Sequence, residues 1–328
     1  MAVGKQNVGL KASWILFLAT VFWGFSFLAM KAIGKIQVKI LPEASTWFLA
    51  SLSLVVRFGF STLILMAWSP CSLRVVNRRE LEQGVLLGLV GGLGLLVQMD
   101  AVNYTSASTT AFLTQCYCLF IPVFLAFRKR RWPATSLLLN CAMVVAGVAI
   151  LSQFNWREMR FGRGEWEAMI ASLFFTAQIL WLEEPKFAGN HASNVTVVMF
   201  AVNLVSVLPV FLWTKPSWAE VATVCNSVPV WLLYAILTIF CTLGAYTLMN
   251  HWQPHIDATR AGLIYCAEPV FTSIFALFIP HLFSVAAGID YPNEKLSTSL
   301  LIGGGLITAA NILNLLKEAG SPPKRVVV

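Results

Sequence analysis

The chain has 328 residues, 58% of them hydrophobic and 12% charged, with a formal net charge of +8 and a mean hydropathy of +0.73. Soluble domains carry about 25% charged residues, so this composition excludes a water-soluble fold and requires a surface that faces lipid. The positive excess does not indicate a nucleic-acid partner, because its densest run, Arg128-Lys129-Arg130-Arg131, lies between two apolar stretches and reads as a cytoplasmic loop.

A membrane span takes about 20 mainly apolar residues. By that measure the first five expected spans are 12–33, 46–68, 81–102, 105–127 and 134–152. The first stretch is too long for a signal-peptide core and reads as a span. The second carries Arg57 and the third a run of glycines, Gly84, Gly88, Gly91, Gly92 and Gly94, suited to close helix contact. Five more expected spans follow at 164–184, 194–213, 230–250, 257–279 and 297–316, the last with Gly303-Gly304-Gly305. The short loops between spans leave no room for a soluble domain. The fold class expected is an all-α polytopic membrane protein of ten helices.

Orientation follows from the basic residues. With the N-terminus inside, thirteen of the 23 lysines and arginines fall in inner segments and seven in outer loops. That bias places both termini in the cytoplasm, with a bacterial inner membrane as the expected location. Pro122 and Pro269 each open the tripeptide Pro-Val-Phe, 147 residues apart, and Ala111 with Ala258 and Asn103 with Asn250 share that offset. Two five-span repeats, 1–152 and 153–328, are therefore expected. Five is odd, so the second copy enters the membrane inverted, an arrangement suited to alternating access.

Ionisable groups at the bilayer centre face a partner or a water-filled cavity. Glu268 lies eleven residues into the ninth span beside Pro269, where a proline loosens the helix. Asp257, Arg260, Ile264 or Tyr265, Glu268 and Thr272 recur at helical spacing and define one polar stripe; the alternative is that Asp257 caps the helix and Arg260 snorkels. Arg57 pairs with Glu268 or snorkels. Gln115 and Gln178 either orient a substrate or bridge helices, and Trp23, Tyr246 and Tyr265 either line a pocket or pack. Pro122 and Pro269 are candidate hinges.

The seven cysteines, Cys71, Cys116, Cys118, Cys141, Cys225, Cys241 and Cys266, form no metal-binding pattern. His251 and His255 alone do not make a metal site. No catalytic or nucleotide-cradling motif is present, so neither an enzyme, a cofactor nor a metal is expected.

Three segments resemble the EamA branch of the drug/metabolite transporter superfamily. They are Phe22-Trp23-Gly24-Phe25-Ser26-Phe27, Ala101-Val102-Asn103-Tyr104-Thr105-Ser106-Ala107, and Ala267-Glu268-Pro269-Val270-Phe271, which looks like that family's ninth-span Glu-Pro motif. The resemblance covers roughly residues 12–316. It implies ten helices in two inverted halves, a central cavity, and movement of small organic solutes such as amino acids. Glu268 lacks an acidic twin, since Ile121 stands at the matching position in the first half. The expected function is secondary transport of a small metabolite, by export from the cytoplasm. Protons are the candidate coupling ion, and no oligomer is required. The alternatives are import of a nucleoside-derived or nucleotide-sugar-like solute or, from another class, a membrane-embedded enzyme or a channel.

Overall fold

The computed structural model describes residues 2–68, 76–130, 135–151, 162–296 and 298–319. Cys71, Arg74, Arg131, Arg157, Arg160, Lys324 and Arg325 lie outside the described residues, as do Ala134, Ser152 and Ser297 at the ends of expected spans. Every regular element among the described residues is helical.

In the first half these are α1 (Ala2–Ile40), α2 (Thr46–Trp68), α3 (Arg78–Tyr104), α4 (Ala107–Thr114), α5 (Tyr117–Lys129) and α6 (Thr135–Leu151). There follow α7 (Arg163–Leu182), α8 (Ala192–Thr214), α9 (Trp218–Cys225), α10 (Val228–Ile236) and α11 (Ala245–Trp252). The chain ends with α12 (Ala258–Tyr265), α13 (Glu268–Ala276), α14 (Ile279–Ala287) and α15 (Thr298–Ala319).

Among the described residues, six helical stretches are long and apolar enough to cross a membrane: Val8–Ile40, Thr46–Trp68, Arg78–Tyr104, Ala107–Arg128, Ala192–Thr214 and Val228–His255. A bent pair, Ala258–Ala276 with Ile279–Ala287, makes up to seven. The expected fifth and sixth spans do form helices, but α6 has only 17 described residues and α7 carries Glu165 and Glu167 near its start. The second span matches α2 at both ends, whereas α1 is much longer than 12–33. Two short helices, α9 and α14, fall outside the expected spans.

Glycine brings α3 and α8 together. A Cβ added at Gly88 would lie 2.6 Å from Val202 Cβ and 2.7 Å from the Met199 carbonyl, and one at Gly84 would lie 2.6 Å from Val198 Cβ. The contact starts at a shared polar anchor. Asn77 and Glu80 form a reciprocal capping box at the start of α3. Buried Glu80 also accepts from the His191 N–H and from Asn194 Nδ2, each at 2.9 Å, at the start of α8. Gly88→Val is expected to force these helices apart and to destabilise the fold by about 1–3 kcal/mol, read as a lower thermal unfolding midpoint in detergent. In the last helix the close approach is narrower: a Cβ at Gly147 of α6 would meet the Gly303 carbonyl at 2.7 Å, while Gly305 faces open space.

The expected fourth and ninth spans are each broken in the same way. Ser106 and Asp257 cap eight-residue helices, α4 and α12, by accepting from the N–H three residues on. Two residues then carry tightened i→i−3 bonds, including Cys116 N to Leu113 O at 3.1 Å and Ala267 N to Ile264 O at 3.0 Å. The second segments, α5 and α13, begin at Tyr117 and Glu268. The matching positions are therefore 151 residues apart, and Tyr117, not Ile121, stands opposite Glu268. Pro-Val-Phe at 147 is out of register by about one turn.

The two candidate hinge prolines occupy different places in their helices. Pro269 sits in the first turn of α13, where no helical N–H is needed. Pro122 lies inside α5, leaves the Cys118 carbonyl without its helical donor, and that oxygen accepts from Cys141 Sγ at 3.5 Å. The large bend, 57°, falls between Ala276 and Ile279, next to Pro280.

Candidate functional site

Seven helical segments, each broken pair counted as one, converge on a cavity of about 50 Å³ at mid-bundle. Trp23 and Ser26 reach it from α1, Leu95 and Gln98 from α3, Thr114 and Tyr117 from the first broken pair, and Phe175 and Gln178 from α7. Tyr246 and Met249 enter from α11, and Tyr265 and Glu268 flank the break between α12 and α13. Arg57 and Ile179 complete the lining.

These residues fall in pairs. Trp23 and Phe175, and Ser26 and Gln178, are 152 residues apart. Leu95 and Tyr246, Gln98 and Met249, Thr114 and Tyr265, and Tyr117 and Glu268 are all 151 apart. Twelve of the fourteen lining residues thus fall in pairs of near-constant separation, with different side chains in each pair. Arg57 and Ile179 stand outside this pairing.

Of the residues singled out in the sequence, Trp23, Arg57, Gln178, Tyr246, Tyr265 and Glu268 meet here. Gln115 stands just behind the wall and donates from Nε2 to Glu268 Oε2 at 3.2 Å. Trp23 packs edge-on against both tyrosines, with ring centroids 5.4 Å from Tyr246 and 5.2 Å from Tyr265. The Tyr265 hydroxyl is tied away from the centre, donating to Gln253 Oε1 at 2.9 Å. Gln178 also bridges helices, donating to the Leu87 carbonyl at 3.5 Å past Gly91. Trp23 Nε1 and Gln115 Oε1 are buried without a hydrogen-bond partner, so a donor and an acceptor remain free beside the cavity.

Arg57 and Glu268 share the cavity but do not form an ion pair. Arg57 Nε donates to Thr242 Oγ1 and Nη2 to the Cys241 carbonyl at 3.2 Å. Snorkelling is excluded as well, since the side chain is 1% exposed. Both acceptors belong to a π-helical stretch, Leu237–Gly244, between α10 and α11.

The continuous polar stripe on the ninth span is interrupted by the break at Cys266 and Ala267. Asp257 is the cap of α12, accepting from the Arg260 N–H at 2.9 Å and pairing with Arg260 Nε at 3.0 Å. Thr272 turns to α1, donating to the Gly24 carbonyl at 3.2 Å. His251 and His255 sit with ring centroids 6.3 Å apart around Trp252, and no group of three metal-ligating side chains occurs among the described residues.

Polar contacts close the bundle at both ends of the cavity. Where α3 begins, Arg128 forks onto Glu184 at 2.8 and 3.0 Å, and Glu183 accepts from the Ala258 N–H at 2.6 Å. Where α3 ends, Arg163 binds Asp100 at 2.5 Å and Glu167 at 2.7 Å. At that end Ser108 also donates to Glu294 at 3.0 Å.

Residues 10–153 match the model of the EamA-like transporter family. An "Uncharacterized transporter" of Archaeoglobus fulgidus is 24% identical over 90% of this chain and 85% of its own length. A solved crystal structure, 19% identical, superposes with a TM-score of 0.65 over 94% of this chain and 97% of that one, a likeness of fold. The family match over the first half and the relative support an EamA-type transporter of the drug/metabolite transporter superfamily, and the apolar helices a multi-pass integral membrane protein.

Proposed function

Taking an EamA-type membrane transporter as the premise, we propose that the chain is a secondary carrier. It exports a small organic metabolite, an amino acid or related compound, from the cytoplasm by alternating access. The reading has ten spans in two oppositely inserted repeats, 1–152 and 153–328, with both termini in the cytoplasm of a bacterial inner membrane. One copy suffices, and protons that visit Glu268 drive exchange.

The observation that carries this reading is the pairing of the cavity wall at a separation of 151 or 152 residues. Equivalent positions from two copies meeting around one space are what an inverted-repeat carrier requires, with cargo bound at the repeat interface near mid-membrane. On this reading the state seen is the closed one. A water needs roughly 10–15 Å³ of such space, so about 50 Å³ takes a few waters and no metabolite. Cargo enters when the halves part, with the loosened turns ahead of Tyr117 and Glu268 as joints near Pro122 and Pro269.

Two measurements test the reading. Labelling of single cysteines placed at each terminus of the intact cell protein is expected to report both on the cytoplasmic side; termini on opposite sides would exclude two inverted five-span repeats. Purified protein in liposomes is expected to show saturable counterflow of small metabolites. Unsaturable conductance in planar bilayers would make it a channel instead.

A further inference from the structure

Arg57 is a permanent charge in the cavity wall, and no described residue forms an ion pair with it. A guanidinium has five donors and stays protonated in proteins. Nε and Nη2 go to Thr242 Oγ1 and the Cys241 carbonyl. Nη1 lies 4.0 Å from Met30 Sδ, a weak acceptor. All three partners are neutral, and Arg57 takes part in no ion pair among the described residues. A buried, uncompensated charge is strongly unfavourable, so its retention here calls for a partner that comes and goes.

The group is also held in place. Thr242 Oγ1 donates to the Leu237 carbonyl at 2.9 Å, five residues back, which leaves its lone pairs for Arg57. Cys241 Sγ donates to the Phe22 carbonyl at 3.1 Å, pinning the π-helical stretch to α1. Irregular turns of this kind concentrate at functional sites. Here the turn supplies two acceptors to a guanidinium that also lines the cavity, and two of its five N–H groups have no partner given to them by these contacts.

We propose that Arg57 is the anchor for a carboxylate, and that the cargo is a small molecule bearing one. The planar fork matches a carboxylate with two parallel hydrogen bonds. A phosphate fits less well: Arg57 is the sole cation among the lining residues, and Glu268 in the same wall opposes a second negative charge. With the carboxylate on Arg57, the rest of the molecule lies along Trp23 and Tyr246, and its polar end meets Glu268 and Gln115. This assignment rests on the carrier reading.

The test uses proteoliposomes loaded with a defined pool of amino, hydroxy and keto acids together with their matching amides and amines, with counterflow followed by mass spectrometry. Wild-type protein is expected to exchange acids and to discriminate against the amides. Arg57→Lys keeps a cation but not the fork, and should raise KM for acids about tenfold or more. Thr242→Val, which unseats the guanidinium without removing it, should raise KM in the same direction. Arg57→Gln should erase the preference for acids. Amides exchanged as well as acids by wild type, or an acid preference intact in Arg57→Gln, would overturn the assignment and leave the carrier reading standing. If Arg57→Gln does not fold, the wild-type acid-to-amide ratio decides. No saturable exchange of any solute would remove the carrier reading and this assignment together.

Discussion

Glu268→Gln is expected to fold, to unfold at a temperature close to wild type, and to exchange cargo about 10- to 150-fold more slowly. Glutamine has nearly the same shape, and its carbonyl oxygen can accept the 3.2 Å bond from Gln115 Nε2. The wall therefore keeps its packing. What disappears is the charge, and with it a hydrogen bond to an ionised group, which is worth about 1.5–3 kcal/mol. That range converts to the stated factor at about 1.4 kcal/mol per tenfold. Counterflow in liposomes checks the rate, and thermal unfolding in detergent checks the fold. Tyr117, the paired position in the first half, offers a control. Tyr117→Phe removes a hydroxyl but no formal charge, so its effect on exchange should be much smaller. Equal losses in the two variants would mean that cavity shape, not the Glu268 carboxylate, governs transport.

The sequence exposed both charged members of the cavity and three of its five aromatics, passing over Tyr117 and Phe175, because such side chains are conspicuous in an apolar helix. Arg57, Glu268, Gln178 and the Trp23–Tyr246–Tyr265 group stood out for that reason. Leu95, Thr114, Phe175 and Met249 did not, since single apolar or small residues in a span carry no mark of the face they occupy. A signal was nevertheless present. Once Tyr117 is aligned with Glu268, a separation of 151 or 152 leads from each known cavity residue except Arg57 to its partner. The Pro-Val-Phe match hid that register because its prolines play different parts: Pro122 interrupts a helix, whereas Pro269 begins one. Apolar helices slip by a turn in such comparisons at little cost in similarity. The π-helical stretch that holds Arg57, and the bend beside Pro280, depend on contacts between distant segments and could not be read from local composition. Helix positions themselves were largely legible, since about 20 apolar residues between polar loops have few other ways to fold.

Gly24→Val should have a larger structural effect than any other single change at the cavity. Gly24 is the point where α1 and α13 touch. A Cβ there would lie 2.7 Å from Phe271 Cβ, 3.0 Å from the Glu268 carbonyl and 3.0 Å from the Thr272 nitrogen. None of these atoms is the free end of a flexible side chain, so the two helices must move apart as bodies. The Thr272 hydroxyl bond to the Gly24 carbonyl, 3.2 Å across the same seam, would be lost with the contact. Overpacking of this kind costs about 1–3 kcal/mol. Here the strain falls on the closed state alone, because an opened seam has room for the methyl groups. Trp23 on one helix and Glu268 on the other are carried apart by the same displacement. A carrier that must pass through the closed state should then lose exchange out of proportion to its loss of stability, and Gly24→Ala should show the same imbalance in milder form. Single-cysteine accessibility along the cavity, compared between wild type and Gly24→Ala, measures the balance of states directly. If Gly24→Ala exchanged cargo at the wild-type rate with unchanged accessibility, the α1–α13 seam would be static packing, and the moving boundary would have to lie elsewhere in the bundle.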